Sequence, residues 1–407
     1  MKLAISGGEK MFDKPLVDWP IWDQKEQDGL LRVLKSGKWG SLHGEEVYEF
    51  ENEFASFQDA EYAIAANSGT TALETALRAL GIQAGDEVIL PAYTFVATAT
   101  AILINGAVPV FVDIDPQTYN IDPTLLEQAI TEKTRAIMPV HFAGRPVDLD
   151  AISQIASKKG LFVIEDAAQA WGSEWRGRKV GATSNFGCFS FQSSKNINSA
   201  EGGIILTDDE EHATLARSYM NCGRVEGGVW YEHYHLGSNL RMTEFQGAIL
   251  RAQLSRYREQ LERRQHAASL LDKRLADLPG FKTLQSDVRI TGQSRHLYIF
   301  RYISEAFDEI SKGEFIKALQ AEGVPCSGGY SIPLYEQPIF KNKSFGPFTH
   351  LIQDAMDVEE MHLANTHKAC YEEALWLPQA VLLNDDKTID RICDAIIKIY
   401  ENRNELY

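Results

Sequence analysis

Cysteine is scarce in this chain, with five among 407 residues. Cys188, Cys222, Cys326, Cys370 and Cys393 are odd in number, widely scattered and never in a C-x-x-C pair, a pattern that argues against a disulfide framework and for a reducing compartment. Positive charge is also in short supply. Forty basic residues face fifty-seven acidic ones, and the net charge of -17, with no local basic patch to offset it, repels nucleic acid and anionic lipid. No uninterrupted apolar stretch approaches the ~20 residues that span a bilayer, and Met1 to Lys10 lacks the basic start and apolar run of a signal peptide. Both G-x-x-x-x-G-K-[ST] and G-x-G-x-x-G are missing, so a nucleotide-phosphate loop of either kind lacks support. The expectation is a cytoplasmic protein with neither nucleic-acid nor membrane partners.

What the chain does have is length and alternation. At 407 residues it exceeds the roughly 250 to 300 at which one hydrophobic core stops growing, so two domains are expected. Short β-rich runs alternate with helical patterns between about residues 58 and 210, as in parallel strands joined by crossover helices. The predicted strands are Glu87–Leu90, Val108–Asp113, Ala136–Val140, Phe162–Glu165, Phe186–Phe191 and Gly203–Thr207. Leu73, Ala76, Leu77 and Leu80 recur at helical spacing and predict a helix over Thr70–Leu80. An amphipathic stretch from Met242 to about Leu275 leads into a mixed segment, with a strand near His296–Ile303 and a final helix near Lys387–Asn402. The fold expected is α/β: a large domain with a mainly parallel central sheet, residues 1–260, and a smaller α+β domain, residues 261–407.

In open α/β sheets ligands bind beyond the carboxyl ends of the strands, so polar residues just after each apolar run come first. Asn67-Ser68-Gly69-Thr70-Thr71 opens the Thr70 helix and could cradle a phosphate on free backbone N–H groups, or could simply cap the helix. Phe95, after the Val88–Leu90 run, could stack on a flat cofactor or pack a core. Asp166, ending the Val163–Glu165 run just before Gln169, could hold a protonated ring nitrogen or cap a helix. Lys195, five residues beyond Ser190, could form an imine with an aldehyde cofactor or lie solvated on the surface. Together they supply a phosphate cradle, a stacking ring, a nitrogen partner and an imine-forming amine in chain order on one sheet. That set specifies pyridoxal 5'-phosphate.

At these residues the chain resembles the DegT/DnrJ/StrS family of sugar and aminocyclitol aminotransferases, a branch of the fold-type-I pyridoxal-phosphate enzymes. Ser36-Gly37-Lys38-Trp39 and Gly44-Glu45-Glu46-Val47 look like the family's N-terminal signature, and Asn67-Ser68-Gly69-Thr70 like its phosphate loop. The resemblance implies that Gly69, Thr70 and Ser190 bind phosphate, Phe95 stacks on the ring, Asp166 pairs with the pyridine nitrogen and Gln169 approaches the ring hydroxyl. It makes Lys195 the imine-forming lysine. Gly237 to Phe245 resembles the segment that reaches into a neighbouring subunit, which implies that Asn239 contacts the phosphate there and that the protein is a homodimer with shared active sites.

Phe191-Gln192, Glu201-Gly202-Gly203 and Gly237-Ser238-Asn239 are similar to the branch holding inosose aminotransferases and 3-amino-5-hydroxybenzoate synthases. The implied reaction is a ping-pong transfer of an amino group from glutamate or glutamine to a keto-sugar or keto-cyclitol, in amino-sugar, aminocyclitol or antibiotic-type biosynthesis. Two departures bear on the substrate: Trp171 stands where many members carry His, and Leu377-Pro378-Gln379 replaces a His-rich segment of the aminohydroxybenzoate synthases. The alternatives are a synthase-like dehydratase and a non-catalytic cofactor-binding regulator. His233 and His235, with Glu232 beside them, lack a third ligand at metal spacing, so no metal is expected. His296 and Tyr298 could face a substrate or pack a core.

Overall fold

The computed structural model describes residues 2–16 and 18–406. Its first strands are β1 (Tyr62–Ala66), β2 (Glu87–Pro91), β3 (Val108–Val112), β4 (Thr134–Ile137) and β5 (Phe162–Asp166), followed by a two-residue ribbon, β6 (Glu174–Trp175) and β7 (Arg178–Lys179). Then come β8 (Phe186–Ser190) and β9 (Gly203–Thr207). Seven of these form the central sheet in the order β1-β9-β8-β5-β4-β2-β3. The pairs from β8 to β3 are parallel, whereas β9 runs antiparallel to both neighbours.

That antiparallel strand corrects the expectation for Gly203–Thr207. The link from Ser190 to Gly203 contains no helix, and a parallel neighbour needs a crossover long enough to carry the chain back across the sheet. β1 was not expected as a strand either, because its Tyr-Ala-Ile-Ala-Ala sequence is as much a helix former as a strand former. The predicted Ala136–Val140 strand stops at Ile137, and Val140 joins the sheet only through an isolated bridge to Asp166.

Alternate residues of each strand face opposite sides of the sheet and are buried on both. Val88 and Leu90 enter one core with the helices Gly69–Ala79, Val96–Ile104 and Glu210–Met220, while Ile89 enters the other. Ile64, Ile164 and Ile205 follow the first pattern; Ala63, Val163 and Leu206 follow the second, under the helix Glu46–Phe57. Each fully buried Leu, Ile or Val contributes ~1.5–3 kcal/mol relative to exposure. The strands therefore carry no polar face, and their polar chemistry is confined to their ends.

A helix of 32 residues, Glu244–Leu275, begins with a capping box between Thr243 and Gln246 and runs unbroken through position 260. Its C-terminal part, including Ala267, Leu271 and Leu275, packs on a second core. That core packs on a three-stranded sheet of β10 (Phe281–Thr283), β12 (Leu297–Tyr302) and β13 (Ala374–Pro378). Short β11 (Ile290–Gly292) crosses back to pair with β6. The helix Asp386–Glu401 closes this core with Ile389, Ile392, Ile396 and Ile399. Leu3 and Phe12, from the N-terminal segment, also pack into this core.

Candidate active site

The strand ends converge on a cavity of about 1050 Å³. Ser68, Gly69 and Thr70 come from the turn after β1, Thr94 and Phe95 from that after β2, Asp166 and Gln169 from the end of β5, and Ser190 and Lys195 from the segment after β8. Tyr330, Pro378 and Gln379 close it from the C-terminal half, and Trp19 from the N-terminal segment. Eight site residues were expected from sequence. Seven of them, Gly69, Thr70, Phe95, Asp166, Gln169, Ser190 and Lys195, line this one space.

The cradle is built by close backbone approach. Ser68 caps the helix Gly69–Ala79 by accepting the Thr71 N–H at 3.2 Å, which leaves the first N–H groups, at Gly69 and Thr70, without intrahelical acceptors. A Cβ on Gly69 would stand 2.7 Å from the Ser190 Cβ, and one on Gly203 would stand 2.3 Å from the Ser68 carbonyl oxygen. Only glycine lets β9 and the helix start meet the Ser190 strand end this closely.

Asp166 is buried, and its Oδ2 accepts from the Thr98 hydroxyl at 2.8 Å while its Oδ1 takes the Ala168 N–H at 3.2 Å. Burial raises its pKa, and those two hydrogen bonds pull it part of the way back. Lys195 sits on a loop pinned by Phe191 N–H to Gly202 O at 2.8 Å and Lys195 N–H to Gln192 O at 2.8 Å. Burial lowers the Lys195 ammonium to about 8, against the opposing pull of Asp166. Gln169 Oε1 accepts the Ala143 N–H at 2.7 Å, so its amide hydrogens are the part left for the cavity. Phe95 remains 59% exposed although it is a large aromatic, with its ring on the cavity wall.

Sequence reasoning missed Thr98, whose only signal was its helical spacing from Thr94, and set His296 aside. His296 lines the cavity and is buried. Asn196 Nδ2 donates to Ser294 O at 2.9 Å, so Asn196 Oδ1 is the acceptor for the His296 Nδ1–H, also at 2.9 Å. That leaves the lone pair on Nε2, and burial together with the Lys195 and Arg264 charges depresses the ring's pKa well below the ordinary value. Trp171 is fully buried behind this ring, 5.8 Å away between centroids, and does not line the cavity. Tyr298 packs in the C-terminal core. Gln379, from the second departure, takes two hydrogen bonds from Arg264, at 2.9 and 2.6 Å.

Asn239 is placed elsewhere. It is exposed, pairs through its backbone with Asn221, and lies outside the cavity of its own chain. His233 Nδ1 meets the Cys222 carbonyl oxygen at 2.8 Å and His235 Nδ1 meets the Ser218 hydroxyl at 2.8 Å.

Residues 20–397 match the family described as DegT/DnrJ/EryC1/StrS aminotransferases. The chain belongs to this family. It is similar to an L-glutamine:2-deoxy-scyllo-inosose aminotransferase of Streptomyces paromomycinus, 35% identical over 98% of this chain and 97% of that one. A 3-amino-5-hydroxybenzoate synthase of Amycolatopsis mediterranei is 34% identical over 93% and 97%. Among solved structures, an aminotransferase from Psychrobacter cryohalolentis superposes with a TM-score of 0.87 at 32% identity, covering 96% of this chain and all of the other.

Membership makes the protein a pyridoxal-phosphate-dependent transaminase with the fold expected from its sequence. The residues present fit the cofactor. The cradle at Gly69 has no room for a side chain, and the helix-start N–H groups at Gly69 and Thr70 lie at the cavity with the Ser190 hydroxyl, donors that suit a phosphate. Asp166 has a carboxylate facing the same cavity as the Lys195 amine, and no acceptor holds that amine among the described residues. No helix among the described residues is long and apolar enough to cross a membrane.

Proposed function

We propose that this transaminase moves the α-amino group of glutamine to the ketone carbon of a keto-cyclitol, with a free keto-sugar as the next acceptor to test. The observation that carries the reading is the similarity, end to end, to an enzyme named for glutamine and an inosose, in a chain that keeps the lysine and the carboxylate. The bound cofactor supplies the electron sink that stabilises negative charge at the donor's α-carbon.

In this reading Gly69, Thr70 and Ser190 hold the cofactor phosphate, and the Phe95 ring covers one face of the pyridine. Asp166 keeps the ring nitrogen protonated, its own charge balanced by Thr98 and the Ala168 N–H. Gln169 directs an amide hydrogen at the ring oxygen. Lys195 would hold the cofactor through its aldehyde, and its amine would move the proton at the donor α-carbon. The bare Nε2 of His296 accepts a hydrogen bond from a substrate hydroxyl, as suits a polyhydroxylated ring.

Asn239, exposed and absent from the lining of its own cavity, serves the cavity of a second copy in a homodimer. The exposed Trp230, Tyr231, Tyr234 and Leu236 on the preceding loop support a contact there. Mixing inactive Asn239→Ala and Lys195→Ala chains then restores activity at roughly a quarter of the sites, since each mixed dimer holds one intact set.

The test of the reaction is a two-stage assay. The holoenzyme is treated with glutamine or glutamate, freed of donor, and offered inososes, free keto-sugars and nucleotide-linked keto-sugars, with the amine product identified by mass spectrometry. Amination of an inosose at the expense of glutamine is expected. Turnover of nucleotide-linked sugars alone would overturn the acceptor, and loss of water without amine transfer would replace the reaction by a dehydratase's.

A further inference from the structure

Beneath the loop that follows β4 lies a second cavity, of about 160 Å³, separate from the cofactor space. Arg145 reaches it from the β4 side and Arg295 from the segment before β12, with Ser286 and Gln293 also on its wall. Arg145 is only 5% exposed. Its N–H donates to the Phe142 carbonyl oxygen at 2.9 Å, and the Arg145 carbonyl oxygen accepts from Asn120 Nδ2 at 3.2 Å. Its guanidinium, by contrast, has no hydrogen bond or ion pair among the described residues, and its Nε is enclosed without a partner. The Nε of Arg295 is enclosed and unpartnered as well.

The carboxylates on this wall are already engaged. Asp287 accepts the Arg289 side chain through Nε at 3.1 Å and Nη2 at 2.7 Å, besides the Arg289 N–H at 2.9 Å. Asp272 accepts the Tyr298 hydroxyl at 2.7 Å and stands 3.9 Å from Arg295 Nη2. Each guanidinium raises the electrostatic cost of the other, and burial plus that neighbour brings Arg145 down to about 10. Arg145 is the buried cation left unpaired, which is costly. Arg295 is half-buried and has Asp272 at 3.9 Å, but its Nε is unpartnered too, and two guanidinium groups that converge on one small space recognise an anion in a bidentate manner.

We propose that this cavity is a binding site for a single oxyanion, phosphate or sulfate, held between Arg145 and Arg295. Its volume of about 160 Å³ corresponds to on the order of five water molecules at about 30 Å³ each, enough for one tetrahedral ion and too little for a nucleotide. The position also links it to the cofactor cavity. Ala143, two residues before Arg145, donates its N–H to Gln169 Oε1 at 2.7 Å, and its carbonyl accepts the N–H of His296, the residue after Arg295, at 3.0 Å. An ion bridging the two arginines braces the two segments that position Gln169 and His296.

The experiment is calorimetric titration of the cofactor-loaded enzyme, whose phosphate cradle is filled, with sodium phosphate, sodium sulfate and sodium chloride at equal ionic strength. Expected is one saturable site per chain for phosphate and sulfate, weakened at least tenfold by Arg145→Gln and by Arg295→Gln and less by Arg145→Lys. A Tm that rises with phosphate in the wild type and not in Arg145→Gln is expected in parallel. In phosphate-free buffer Arg145→Gln is expected to melt no lower than the wild type, because it removes an unpaired buried charge. No saturable binding, binding that survives both glutamine variants, or chloride binding as tight as phosphate would overturn the proposal. So would an Arg145→Gln protein that melts lower without phosphate, since Arg145 would then be a structural partner of Asp287. None of these results depends on which ketone the enzyme aminates.

Discussion

Glu165 and Asp166 are adjacent carboxylates at the end of one strand, both buried, and they lie on opposite faces of the sheet. Glu165 points the way of Val163 and is saturated. It accepts from His141 Nε2 at 2.8 Å, the Gly181 N–H at 2.7 Å, the Thr183 hydroxyl at 2.9 Å and the Ser184 hydroxyl. The Val147 N–H donates to His141 Nδ1 at 3.1 Å, which puts the ring proton on Nε2. Burial alone would raise Glu165, but these donors hold it below the ordinary carboxylate value. Asp166 points the way of Ile164, has two donors to its side chain among the described residues, is raised by burial, and opens onto the cavity beside Lys195. A buried carboxylate with all its acceptor positions filled builds structure; one with capacity left over is free to hold a ligand's proton.

The largest expected break in this contrast is Asp166→Asn. It should cut kcat by on the order of 10²–10³, the scale of removing one preorganised electrostatic group, while the apoprotein melts no lower at pH 7. Because the folded pKa of Asp166 is raised, its favourable contribution exists below the unfolded value of ~3.9 and is lost as pH rises through the folded value. The stability advantage of the variant should therefore grow from pH 4 to pH 7 in thermal melts of apoprotein. Glu165→Gln is expected to do the reverse: kcat within a few-fold of wild type, and stability lower by about 1.5–3 kcal/mol at pH 7 as hydrogen bonds to the charged carboxylate are lost. Its folded pKa is depressed, so what it contributes is present above the unfolded value and disappears as pH falls through the folded one. Denaturant titrations of both variants across that range would show two equal curves if the contrast were false.

Lys195 sharpens the comparison through its proton. Capture of pyridoxal phosphate by apoprotein requires the neutral amine, so the capture rate in stopped-flow absorbance should rise with pH to a plateau, with a midpoint near the value of about 8 set by burial. A midpoint near that of a solvated lysine would mean that the amine is not held in the cavity. His296→Phe carries the smallest expected effect, about a tenfold rise in the acceptor's KM, the scale of one lost hydrogen bond. The capture rate should stay unchanged, and the kinetics of the two half-reactions would separate these quantities.

The parts of this site legible in the sequence were those that follow strands. Asp166 and Lys195 could be placed because Phe162–Asp166 and Phe186–Ser190 announce themselves as apolar runs with polar ends. Their roles came from resemblance, since an Asp after a strand is equally a cap. The Glu165 network was not legible, because its donors lie up to 24 positions away and meet only when β4, β5 and the Gly181 turn fold together. His296 was ambiguous for a related reason. Its local pattern is that of a packed strand, and only the tertiary bond to Asn196, 100 positions earlier, turns its free nitrogen toward the cavity. The direction of β9 was misread because periodicity reports burial and is blind to strand polarity.

The central claim, that the unsaturated face of β5 and the Lys195 amine form the chemical site, meets its most direct test in borohydride reduction of the cofactor-loaded enzyme followed by peptide mapping. The account predicts one reduced cofactor per chain, attached at Lys195, and none in Lys195→Ala. Attachment at any other lysine, or labelling that persists in Lys195→Ala, would contradict it.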